Sequence, residues 1–140
     1  MNLLEDVFNQ PHLNAPKGII YGPPGIGKTT FGAGCQRPII VDCENGANYV
    51  ACHRTPYLTT WPDIQKWLDF LAFSEHPYET VVVDSVDWLL RRTEEHVAGV
   101  NGDFKSMERT LNRAQGGYGN GKQVLKNYVY QYLMPILDAI

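Results

Sequence analysis

The residues best suited to chemistry are Gly22-Pro23-Pro24-Gly25-Ile26-Gly27-Lys28-Thr29. A phosphate chain is bulky and multiply charged, so it is best held by a backbone that curls around it with its N–H groups turned inward. Glycines at 22, 25 and 27 permit that curl without side-chain clash. Lys28 adds a cation that reaches the outer phosphates, and Thr29 offers a hydroxyl oxygen, a hard ligand suited to magnesium. The stretch therefore reads as a cradle for a nucleoside triphosphate, with Pro23, Pro24 and Ile26 shaping its bend and Thr30 closing it as the following helix begins. Ordinary residue usage produces this spacing by accident in about one chain in two hundred of this length. A position between an apolar run and a helix makes accident rarer still.

Two acids complete the candidate chemistry. Asp84 follows Thr80-Val81-Val82-Val83, and an acid at the end of a strand beside such a loop fits a magnesium ligand acting through water. A carboxylate that merely caps the helix after it is the weaker reading. Glu44 stands just beyond Pro38-Ile39-Ile40-Val41-Asp42, where a carboxylate can orient or deprotonate an attacking water. A glutamate in a turn is more often simply solvated, so position alone does not decide its role.

Elements must bring these residues together. Lys17-Gly18-Ile19-Ile20-Tyr21-Gly22 is a short apolar run closed by glycine and is expected to be a buried strand of a parallel sheet. Residues 29–35 are expected to form a short helix, weakened by about 1 kcal/mol at each of Gly32 and Gly34. Pro38–Asp42 and Glu79–Asp84 read as two further buried strands, each ending in an acid. Thr60 suits an N-cap, with Pro62 and Asp63 in the first turn and Ile64, Trp67, Leu68 and Leu71 on one helical face. Ser85 suits the cap of a helix through Trp88, Leu89 and Val97. After Gly99 the sequence becomes polar and glycine-rich through Gln115–Gly121, and an amphipathic helix follows from about Lys122 to the end.

Residues 1–16, with Pro11 and Pro16, read as an arm, and residues 17–140 as one domain. Strands alternating with helices imply an α/β fold of three layers around a mainly parallel sheet, with ligands at the carboxyl ends of the strands.

Composition narrows the function. The 140 residues carry a net charge of −3, which argues against a surface coated in basic groups for nucleic acid. Three cysteines without a CxxC pair suit a reducing compartment, and Cys52-His53 lacks the second pair that a zinc site needs. No apolar run is long enough to span a bilayer, and the start lacks the features of a secretory signal, so the cytoplasm is expected and no membrane contact.

Taken with the loop, Pro38-Ile39-Ile40-Val41-Asp42-Cys43-Glu44 and Thr80-Val81-Val82-Val83-Asp84-Ser85-Val86-Asp87-Trp88-Leu89 resemble the RecA-like P-loop ATPases. The similarity is to phage-encoded ATP-binding proteins of AAA type, often linked to recombination and single-strand annealing, and runs from about Lys17 to the chain end. It implies ATP and magnesium as cofactors, Glu44 as the residue that activates water, and the cytoplasm of a bacterial host as the place of action. It also implies single-stranded DNA as a partner of a homo-oligomer, with Tyr118 stacking on a base and Arg109, Arg113, Lys122 and Lys126 meeting phosphates. One departure stands out. The family continues past the last helix into a core strand that lies between the loop strand and the Asp84 strand, whereas this sequence ends at Ile140. The expectation is a sheet with a gap that weakens the chain unless a partner fills it.

Two rivals share the loop. A small nucleotide or metabolite kinase would need an arginine-rich lid, for which Arg91-Arg92 and the Arg109/Arg113 pair are the candidates. A non-hydrolysing switch would bind ATP only to present a surface to a replication partner. The guanine-reading Asn-Lys-x-Asp pattern does not occur in the sequence, but adenine sites have no comparably sharp signature, so the residues leave ATP and GTP open and ATP is what the resemblance implies.

Overall fold

The computed structural model describes residues 15–99 and 120–140. At its centre lies β1 (Pro38–Asp42), whose β-branched residues are covered on both faces, with Ile40 and Val41 fully enclosed. β2 is the two-residue strand His53–Arg54 and β3 is Thr80–Asp84. Both pair parallel with β1, giving the order β2-β1-β3. The β1–β3 ladder runs from Pro38 opposite Thr80 to Asp42 opposite Asp84, so the two acids end level with each other. At the other end the Glu79 N–H donates to the Arg37 carbonyl at 3.0 Å and the Thr80 hydroxyl to the Gln36 carbonyl at 2.9 Å, with an Arg37–Glu79 ion pair outside them.

A short helix, α1 (Lys28–Ala33), lies against the Val82 face of the sheet. A Cβ on Gly32 would stand 2.9 Å from Val82 Cγ1, so the glycine that weakens this helix is also what lets it approach the strand. The opposite face is covered by longer helices. In α2 (Trp61–Phe73) the Thr60 hydroxyl accepts the Asp63 N–H at 3.4 Å, and Pro62 occupies the first turn, as the sequence predicts. Trp61, Ile64, Leu68 and Leu71 of α2 are buried and pack with Ile39, Val41 and Cys43, and with Leu89 of α3 (Val86–Ala98). Ser85 occupies the N-cap position of α3 with extended backbone, although its side chain makes no capping bond.

The last helical stretch is interrupted. α4 (Asn120–Tyr128) passes through a π-helical turn at Val129–Leu133 into α5 (Met134–Ala139). Pro135 has no N–H for the usual bond to the carbonyl four residues back. The chain widens just before it, and the Met134 N–H reaches the Val129 carbonyl. Leu133 enters the core there, and the Trp61 indole donates to the Tyr128 hydroxyl at 2.7 Å, tying this stretch to α2.

The strand expected over 17–22 does not form: this segment is irregular, with Ile19 81% and Tyr21 91% exposed. An apolar run becomes a strand only when a neighbour takes its N–H and C=O groups. Among the described residues none pairs with the second edge of β3, and Lys17 instead forms an ion pair with Asp138 of α5. β2 was not foreseen, being two exposed polar residues without a periodic pattern. Most of the glycine-rich stretch before α4, and residues 1–14 of the arm, lie outside the described residues. No helix among those described is long and apolar enough to cross a membrane.

Candidate nucleotide site

Between the irregular segment and α1, Gly25 and Gly27 take φ values of 81° and 99°, a region that side chains rarely adopt. These two residues turn the loop back so that α1 begins at Lys28. The Lys28 ammonium donates to the carbonyls of Gly22 at 2.9 Å and Pro23 at 3.2 Å, holding its charge over the loop that precedes it. One residue later the Thr29 hydroxyl donates to Asp84 Oδ2 at 2.7 Å, joining α1 to the end of β3. A hydroxyl that gives its proton to a carboxylate keeps its lone pairs free for a cation, and the two are half-buried. A threonine oxygen beside a carboxylate is a hard donor set, and it fits magnesium.

The acid end of β1 lies alongside. The Cys43 N–H donates to the Asp84 carbonyl at 2.7 Å, and a Cβ placed on Gly46 would stand 3.7 Å from Asp84 Oδ2. The turn that carries Glu44 therefore passes the same oxygen that Thr29 grips. Glu44 itself is exposed, as are Pro23, Pro24, Ile26 and Thr30, while Gly22, Gly27 and Lys28 are half-buried. The structure thus gathers Lys28, Thr29, Asp84 and the Glu44 turn at one edge of the sheet. Lys122 and Lys126 lie apart on α4 and are exposed, and Tyr118, Arg109 and Arg113 fall outside the described residues.

Three further residues have surroundings here that their spacing does not reveal. Asp42 is buried, and its Oδ1 accepts the N–H groups of Asn45 at 2.6 Å and Glu44 at 3.3 Å. Cys43 is buried, and desolvation, followed by the negative charge of Asp42, pushes its thiol up to about 12. Arg92 is buried against Glu95, to which it donates at 2.9 and 3.1 Å, and it reaches the Tyr57 hydroxyl at 3.4 Å. Burial alone would lower the Arg92 pKa, but the bonds to Glu95 and Tyr57 hold it above its ordinary value. The i,i+3 spacing of Arg92 and Glu95 on α3 was the available sign of that pair.

A family model described as an AAA domain matches residues 14–132, a span that includes the loop, both acid-ended strands and most of the last helical stretch. Neither a curated protein nor a solved structure matches the chain.

Proposed function

This chain belongs to the AAA domain family, and we propose that it is a magnesium-dependent ATPase whose nucleotide state governs its hold on single-stranded DNA, as in RecA-like phage recombination and annealing proteins. The observation that carries the reading is the 2.7 Å contact between Thr29 and Asp84, which supports a metal-holding role for the two next to Lys28.

Gly22–Thr30, through the N–H groups of its non-proline residues, and the Lys28 ammonium bind the phosphate oxygens. Thr29 and Asp84 would hold magnesium between them. When bound, the ion neutralises charge on the β and γ oxygens. Glu44, on its turn beside Asp84, orients the attacking water and accepts its proton. Lys122 and Lys126 are exposed one turn apart on α4 and supply cations for a DNA backbone, together with Arg109, Arg113 and a stacking Tyr118 in the working homo-oligomer. The kinase alternative loses ground because Arg92, half of one of its two candidate lid pairs, is buried with Glu95 rather than free to close over a substrate.

Phosphate release from ATP with magnesium, measured with and without single-stranded DNA, tests the proposal. Replacing Glu44 by Gln should lower turnover by about a hundredfold or more while a fluorescent ATP analogue still binds. Equal turnover in wild type and Glu44→Gln would remove Glu44 from the mechanism. Binding without turnover in the wild type would leave the switch reading, and turnover indifferent to DNA would remove the DNA partner.

A further inference from the structure

Asp42 is more firmly placed than a surface carboxylate at the end of a strand needs to be. Its N–H donates to the Thr55 hydroxyl at 3.0 Å, its carbonyl accepts the Leu58 N–H at 2.9 Å, and its Cα is in register with Asp84 across the ladder. Thr55 is buried and passes its own proton to the Pro56 carbonyl at 2.9 Å, so the anchor behind Asp42 is itself anchored. The side chain is 1% exposed and points forward along the chain into the turn, where Oδ1 collects the amides of Glu44 and Asn45. Asn45 is left in the left-handed region at φ 64°, and its own side chain and carbonyl take both bonds of the Asn48 amide.

We infer that Asp42 is the positioning residue for Glu44: its Oδ1 fixes the backbone from which the Glu44 carboxylate reaches the water beside Asp84. The inference rests on the reading of Glu44 as the water-activating residue. Glu44 is exposed, so its placement comes from its own backbone, and the amide that Asp42 holds belongs to that backbone. On its other side the turn runs past Asp84, whose Oδ2 a Cβ on Gly46 would meet at 3.7 Å, an ordinary contact distance. The reach of the Glu44 side chain is therefore measured from a backbone that Asp42 holds, in a turn that passes Asp84. A buried carboxylate thus takes two N–H groups that would otherwise be left to solvent.

The test compares Asp42→Ala, Asp42→Asn, Glu44→Gln and the Asp42→Ala/Glu44→Gln double variant at saturating magnesium, in phosphate release and in binding of a fluorescent ATP analogue. Loss of the acceptor in Asp42→Ala should lower kcat about tenfold to a hundredfold, as small misplacements of a reacting group do. Nucleotide affinity should stay within about threefold, since binding is assigned to the loop. Asp42→Asn keeps an acceptor oxygen facing the two amides and should restore most of the lost turnover. In the double variant the Asp42 substitution should cost nothing further, because it acts only through Glu44. Turnover in Asp42→Ala equal to wild type, or additive losses in the double variant, would overturn the inference. If Asp42→Ala does not fold, Asp42→Asn decides alone: a folded protein with turnover as low as Glu44→Gln would show that the acceptor is not what matters. Normal turnover in Glu44→Gln alone would instead refute the reading of Glu44, and the inference with it.

Discussion

Asp42 and Asp84 stand on paired strands, whereas Lys28 and Thr29 follow a segment that joins no strand among the described residues. The acids inherit their separation from the β1–β3 ladder, which is closed by backbone bonds at both ends. The loop residues depend on a six-residue helix seated through Gly32 on Val82, and on the single bond from Thr29 to Asp84. One half of the site is thus part of the core, and the other is docked onto it by a few contacts. Loosening of the site by substitution should begin on the loop side, where fewer contacts must be lost.

The contrast can be broken most decisively with two isoleucines of the same size. Ile40 on β1 is fully buried, and truncation to Ala should cost about 2–5 kcal/mol in equilibrium urea unfolding. Ile19, 81% exposed, should cost no more than about 0.5 kcal/mol. A loss at Ile19 approaching that at Ile40 would mean that the 17–22 segment packs as a strand in solution and that both halves of the site belong to the sheet.

A smaller effect is expected where the halves meet. A methyl group on Gly32 would clash with a β-branched side chain on a paired strand, and neither moves cheaply. Gly32→Ala should cost about 1–3 kcal/mol in spite of the better helix propensity of alanine. Nucleotide affinity should fall more than core stability suggests, because α1 carries Lys28 and Thr29. A stabilised variant would show that α1 does not dock as tightly on β3 as the sheet contact implies.

What could be read from the sequence follows the same division. β1, β3 and α2 declare themselves through β-branched runs and through a Thr60 cap followed by apolar residues at helical spacing, patterns that report local preference and burial together. The 17–22 segment has an apolar run of the same kind, but strand formation depends on a neighbour, and composition says nothing about which edge is available. Thr29 and Asp84, which the structure brings together, could be singled out because phosphate and metal chemistry constrains residue type and spacing. Asp42 was legible only as a strand end, since its hold on the Glu44 turn depends on which way a buried side chain points. Arg92 reads only as a candidate lid residue in the sequence, because the Tyr57 hydroxyl that helps to bury it is remote along the chain.

The smallest effect sharpens the comparison from the rigid side. Cys43 lies between Asp42 and the Glu44 turn, and burial pushes its thiol from an ordinary 9.0 to about 12. Between those values the unfolded chain has lost a proton that the folded chain keeps, so stability should fall as pH rises from about 9 toward 12. Below pH 9 both states hold the proton and the contribution is complete. Urea midpoints at pH 7.5 and 10 should therefore drop further in wild type than in Cys43→Ala, which lacks the titrating group. Thiol labelling of the native protein at pH 8 should reach Cys35 and Cys52, both half-buried, well before Cys43. Labelling of Cys43 at the rate of the other two would mean that the acid end of β1 opens as readily as the surface around it, and the division between a fixed acid half and a docked loop half would no longer hold.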